Sequence, residues 1–167
     1  MSRQINNIIA ITASLICIGL INFAGQNIDS EIRGINAFTF ILFVAVILQI
    51  IFFIPSFLLK TEKYYDLVGS LTYIATVSLA YFSVENKTMI DSIIYFYVMV
   101  WALRLGIYLF RRVRNDGKDV RFEKAKRHFL WFLQYWMGQA LWVSLSASPA
   151  IIGILSPEDD LLPLLAM

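Results

Sequence analysis

Five residues of one apolar run carry side chains suited to bind or polarise a ligand: Tyr97, Trp101, Arg104, Tyr108 and Arg111, spaced four, three, four and three apart. On a helix this spacing puts all five on one face, two guanidiniums among three aromatic rings. Guanidiniums grip carboxylates and phosphates through paired N–H donors, and the rings supply flat apolar walls. The stripe therefore suits a cavity for a polar, anionic or aromatic ligand. The plainer reading is helix packing capped by an interfacial aromatic belt. Arg104 sharpens the choice, because it lies about 10 Å deeper along the axis than Arg111. If the run crosses a membrane, a charge there costs about 2.5–3.5 kcal/mol on insertion scales, so Arg104 is expected to face the bundle or a water-filled cavity and to have a partner.

Asp66 is the candidate partner. It opens another apolar run in "KTEKYYDLVGSLTY", in the same half of a membrane as Arg104. An Asp66–Arg104 ion pair would relieve two costly charges at once, whereas an Asp66 close to water needs no partner. Tyr65, Gly69, Thr72 and Tyr73 continue that helix with polar or small residues that let neighbouring helices approach closely. In "FLWFLQYWMGQALWVSLSAS", Gln134 and Gln139 lie five apart on different flanks, while Trp131, Tyr135, Gly138 and Trp142 share a face. Each glutamine either bonds across to another helix or orients a ligand carbonyl. Gln49 and Pro55-Ser56 mark a polar spot and an expected kink.

Eight cations stand between residues 111 and 128: Arg111, Arg112, Arg114, Lys118, Arg121, Lys124, Lys126 and Arg127, offset only by Asp116, Asp119 and Glu123. Such a loop anchors helix ends at anionic lipid, or its arginines and the turn at Asn115-Asp116-Gly117 cradle a pyrophosphate. No GxGxxG or Walker A pattern accompanies it, so a soluble nucleotide-binding fold is not indicated. The one histidine, His128, excludes a multi-histidine metal site within the chain, and no metal is expected. Nothing points to nucleic acid. Cys17, the one cysteine, sits mid-run and is expected to be a small buried hydrophobe.

The elements that must position these residues follow from composition. Of 167 residues, 59% are apolar and 16% charged, against about 45–50% and about 25% in soluble domains. Mean hydropathy is +0.68. Five stretches, 6–24, 36–59, 65–83, 89–110 and 129–148, reach or approach the roughly 20 residues that a membrane helix needs. The expected fold is all-α: a single polytopic transmembrane bundle over 1–167 with about five spanning helices. The first run is read as a retained helix rather than a cleaved signal. Alternating the connections from a cytoplasmic N-terminus puts Arg3, Lys60, Lys63 and the eight cations of 111–128 inside, and only Arg33 and Lys87 outside. That bias is what the positive-inside rule predicts, with 111–128 as a basic cytoplasmic loop.

The order "YYDLVGSLTY", "WALRLGIYLFRRVRNDGKDVRF" and "QYWMGQALWVSL" before Ser148-Pro149 resembles the bacterial DUF1295 proteins. These are integral membrane proteins related to the steroid 5-alpha-reductases and, more distantly, to isoprenylcysteine carboxyl methyltransferases. The resemblance spans about residues 60 to 155. It implies a multi-pass protein of the bacterial inner membrane that uses NADPH to reduce a conjugated carbon–carbon double bond in a lipid, steroid or isoprenoid-like substrate. By the same resemblance Asp66 and Tyr108 are catalytic candidates that polarise the substrate carbonyl, and Arg104, Arg111, Arg112 and Arg121 are cofactor-binding candidates. Tyr97, Trp101, Gln134 and Gln139 are the substrate-binding candidates. Relatives continue further, with an Asn-rich and Arg-His-Pro-type region holding much of the cofactor, and this chain stops at "SPEDDLLPLLAM". The expectation is thus an N-terminal and central part that needs further C-terminal helices or a partner chain. The alternative is a non-catalytic scaffold or lipid-binding bundle with a basic cytoplasmic loop.

Overall fold

The computed structural model describes residues 3–28, 30–116 and 120–156. It is an all-α bundle of five long helices: α1 (Arg3–Ala24), α2 (Ala37–Leu58), α3 (Tyr65–Ser83), α4 (Met89–Asp116) and α5 (Phe129–Leu155). Four of them, all but α3, are long and apolar enough to cross a membrane, which marks a membrane protein. In lipid every backbone polar group must be satisfied within its own segment, and helices do this. A short non-helical turn joins α1 to α2. There Glu31–Ile32 and Ile35–Asn36 form a two-residue antiparallel ladder, turned by Arg33 and Gly34 at positive φ.

Two helix ends run past their expected limits. α4 continues through Arg111 to Asp116, so the basic loop begins later than 111, and α5 runs through Pro149 to Leu155. Proline is tolerated in a membrane helix more readily than in a soluble one, and one residue before Pro149 the Ser148 hydroxyl donates to the Ser144 carbonyl. The start of α4 is closed by a reciprocal box: Thr88 N–H donates to Asp91 Oδ2 at 2.8 Å, and Asp91 N–H to Thr88 Oγ1 at 3.1 Å. These bonds satisfy two of the otherwise orphaned amides of a helix N-terminus.

α3 packs against α2, α4 and α5, while α1 lies along α5. Its polar residues serve the packing. Gln49 of α2 donates to Thr72 Oγ1 at 2.9 Å, Tyr65 donates to the Tyr135 carbonyl of α5 at 2.9 Å, and the Tyr73 and Ser146 hydroxyls meet at 2.5 Å. Small residues bring α3 and α4 together: Ser70 Oγ donates to the Ala102 carbonyl at 2.5 Å, and a Cβ on Gly106 would come within 2.5 Å of Ser70 Oγ. Such small-residue contact with interhelical hydrogen bonds replaces the hydrophobic drive that lipid removes.

The core divides into two clusters. One, around Phe38, Ile41, Val77, Val143 and Ile151, fills the end where α1 gives way to α2. The other, around Phe53, Val68, Phe122, Phe132 and Trp136, fills the opposite, basic end. Cys17 is exposed, not buried, because α1 turns Asn7, Ser14 and Ile18 inward and leaves Cys17 on its outer flank.

Candidate functional site

Where each charged residue of the basic end goes is decided by α4's orientation. Ala102, Gly106 and Val113 are its buried residues near that end. Arg104 is two residues from both Ala102 and Gly106, about 200° around the helix from each, and so points the other way. It is exposed, and the expectation of an inward Arg104 is overturned. Only 11% of α4's most apolar window is buried, against 44% for α5, so α4 is a peripheral helix with one open face.

The Asp66–Arg104 pair is overturned with it. Asp66, whose side chain is 12% exposed, takes Arg112 instead, at 3.2 Å to Oδ2, and Arg121 at 3.8 Å to Oδ1. The geometry is simple: Asp66 opens α3 at the basic end, level with α4's last turns, and Arg112 lies two turns beyond Arg104 on the flank nearer α3. Among the described residues neither Arg104 nor Arg111 has an ion-pair partner. These two cations look outward together.

They line a groove of about 570 Å³ formed by Arg104, Ile107, Tyr108, Arg111, Arg112 and Asn115. A smaller hollow of about 200 Å³ adjoins it, lined by Trp101, Arg104, Leu105 and Tyr108. Four of the five stripe residues thus act as one surface, as their spacing predicts. Tyr97, the fifth, is 68% exposed and borders neither hollow. Tyr108 is 65% exposed, with its phenol among the guanidiniums. The chemistry of this donor set, guanidiniums with an amide and a phenol, suits the oxygens of phosphate groups. The apolar and aromatic members, Ile107, Leu105 and Trp101, suit a planar or aliphatic neighbour.

The two glutamines stand elsewhere. Gln139 donates to the Tyr65 carbonyl at 3.3 Å and presses on Gly69, where a Cβ would come within 2.2 Å of its Nε2. Gln134 is half-buried on α5. Neither lines the α4 hollows, so the structure brings Trp101, Arg104, Tyr108, Arg111 and Arg112 together and leaves Tyr97, Gln134 and Gln139 apart from them.

Three features of the basic end were not anticipated. Glu62, with its side chain 3% exposed, receives Lys126 at 2.6 Å. Phe122, one residue from Arg121, is fully buried against Tyr65 (4.7 Å between ring centroids), Tyr135 (4.9 Å) and Phe132 (5.9 Å). The stretch after α4 is therefore a docked clamp rather than a free cationic arm: an aromatic plug flanked by cations that reach Asp66 and Glu62. The cations that meet Asp66 and Glu62 lie 46 and 64 residues away in the chain for Arg112 and Lys126, so no local spacing signals these contacts. The third feature is a second pocket, lined by Lys63, Tyr64, Phe110, Val113 and Arg114. Lys118 of the basic loop, Asp119 and the Gly117 of the expected pyrophosphate cradle lie outside the described residues.

No curated protein and no solved structure matches the chain. One family model does, described as "Protein of unknown function (DUF1295)", over residues 52–167. That interval takes in α3, the arginine face of α4, the clamp and α5, and exceeds half the chain, so this membrane protein belongs to the DUF1295 family.

Proposed function

We propose that the chain supplies the membrane-embedded arginine face of an NADPH-dependent reductase acting on a conjugated carbon–carbon double bond of a lipid, steroid or isoprenoid-like substrate. The observation that carries this reading is the groove in which Arg104 and Arg111, without carboxylate partners among the described residues, stand beside Tyr108 and Asn115. Two uncompensated guanidiniums on a helix long and apolar enough to span a bilayer call for an anionic ligand or a covering partner. The donor set fits a phosphate-bearing cofactor. NADPH, when bound, supplies the hydride.

Within that reading Arg104 and Arg111 hold phosphate oxygens, and Asp66 works by fixing Arg112 and Arg121 rather than by touching substrate. Tyr108 is the hydroxyl placed to donate to a carbonyl oxygen as charge develops there, an effect that gains strength where water is excluded. Trp101 and Leu105 give the apolar wall for the substrate. The groove is open on one side, so exclusion of water requires more helices, from a longer chain or from a partner. The basic end faces the cytoplasm of a bacterial inner membrane, where the cofactor is found.

Titration of the protein in neutral detergent with NADPH, followed by quenching of tryptophan fluorescence, tests this. Saturable quenching that weakens at least about tenfold in Arg104→Ala and in Arg111→Ala, the worth of about 1.4 kcal/mol of a charge-assisted contact, is the expected result. Absence of saturable binding, or binding indifferent to both substitutions, leaves the second reading, a non-catalytic bundle. The ion pairs of the clamp, which need no ligand to be satisfied, favour that reading.

A further inference from the structure

On the flank of α4 away from Tyr108 and Arg112 lies the pocket of about 140 Å³ lined by Lys63, Tyr64, Phe110, Val113 and Arg114. Its wall is apolar: Val113 is buried and Phe110 half-buried, one turn apart on the helix. Its rim is polar: Lys63, Tyr64 and Arg114 are exposed. The carboxylates nearest Lys63 in the chain are engaged elsewhere, Glu62 by Lys126 and Asp66 by Arg112 and Arg121. Among the described residues Lys63 and Arg114 have no ion-pair partner, so two cations and a phenol border an apolar notch with their charge unmatched.

The notch lies where α3 begins and α4 ends, at the edge of the apolar stretch. That is the level at which phospholipid headgroups sit, and Lys, Arg and Tyr are the residues that meet them. We propose that this pocket binds the phosphate of an anionic phospholipid, with Arg114 gripping two phosphate oxygens, Lys63 adding a point charge, and the first methylenes lying on Phe110 and Val113. A zwitterionic lipid brings its own ammonium to the phosphate and gains less from the two cations, so the site favours the anionic class. Inorganic phosphate shares the headgroup chemistry but has nothing to place on the apolar wall. The site is separate from the α4 arginine groove and stands whether or not the reductase reading does.

Native mass spectrometry of the delipidated protein, counting retained phosphatidylglycerol against phosphatidylcholine, reads the site directly. Wild type should retain phosphatidylglycerol about tenfold more strongly. The preference should vanish in Lys63→Ala/Arg114→Ala, survive in the charge-keeping Lys63→Arg/Arg114→Lys, and survive in Lys124→Ala/Arg127→Ala, which loses the same charge from the neighbouring segment. Equal loss in both alanine pairs would make the attraction diffuse and overturn the pocket, as would no preference in wild type. Displacement of phosphatidylglycerol by millimolar inorganic phosphate would show that the phosphate alone is held, and would overturn the lipid assignment. A Lys63→Ala/Arg114→Ala protein that does not fold leaves Lys63→Gln and Arg114→Gln singly, each of which should lower the preference.

Discussion

Truncating Lys126 removes the cation within 2.6 Å of a carboxylate that is almost out of reach of water. Glu62 lies in the connector before α3, and its desolvation is tolerable because the ammonium stands against Oε2. Loss of one charged partner from a buried acceptor costs about 1–3 kcal/mol. Lys126→Ala should therefore lower stability by an amount in that range, and Lys124→Ala, an exposed neighbour, by less than about 0.5 kcal/mol. Urea-free thermal unfolding in detergent, followed by circular dichroism, compares the two. Equal melting temperatures for both variants would mean that the clamp does not hold this end of the bundle. Arg104→Leu, by contrast, takes a cation away from an open face and should leave the melting temperature unchanged or raised, since no carboxylate loses a partner. This pair of outcomes separates residues that hold the fold from those free to serve a ligand.

At the scale of elements the contact to test is that of α3 with α4, which sets where the arginine face points. Its closest approach is Gly106 against Ser70, and an alanine at 106 would put a methyl within 2.5 Å of the hydroxyl and 2.8 Å of Ser70 Cβ. Overpacking of this kind costs about 1–3 kcal/mol. Gly106→Ala should destabilise the bundle by that much in an SDS titration, and Ser70→Gly should recover most of the loss by vacating the space. Additive destabilisation in the double variant would show that the two helices do not meet there. The same contact explains what the sequence could and could not convey. The period of Tyr97, Trp101, Arg104, Tyr108 and Arg111 reveals that they share a face, and four of them do form one surface. Periodicity does not say whether that face looks in or out, and a rule about the cost of buried charge pointed the wrong way. The residues opposite, Ala102 and Gly106, carried the answer, because in lipid small residues mark the side where helices pack. The five helices were legible for a similar reason: length and apolarity are local properties. The pairing of Asp66 with Arg112 and Arg121, and of Glu62 with Lys126, depends on how a connector and the stretch after α4 fold onto each other, which no local pattern encodes.

For the whole molecule the strongest asymmetry is charge along the bundle axis. Lys60, Lys63, Arg111, Arg112, Arg114, Arg121, Lys124, Lys126 and Arg127 gather at the end where α2 meets α3 and α4 approaches α5, and Arg3 reaches it too, its guanidinium 4.6 Å above the Trp131 ring. The other end has Arg33 and Lys87. Several of these cations are neutralised locally by Glu62 and Asp66, but the rule that orients membrane proteins counts Lys and Arg near the spans and gives acidic residues little weight. The basic end should therefore lie in the cytoplasm even with its clamp closed. In a Cys17→Ser background, Lys60→Cys should react with a membrane-impermeant maleimide in inverted vesicles and not in intact spheroplasts, and Lys87→Cys should do the reverse. This also bears on α3, the helix that falls outside the set apolar enough to span by itself. If α3 did not cross, residues 60 and 87 would share a side and both cysteines would label from one compartment. Opposite labelling requires α3 to cross, carried by its neighbours: Gln49, Tyr135 and Ser146 take up its hydroxyls, so its polar groups meet protein rather than acyl chains.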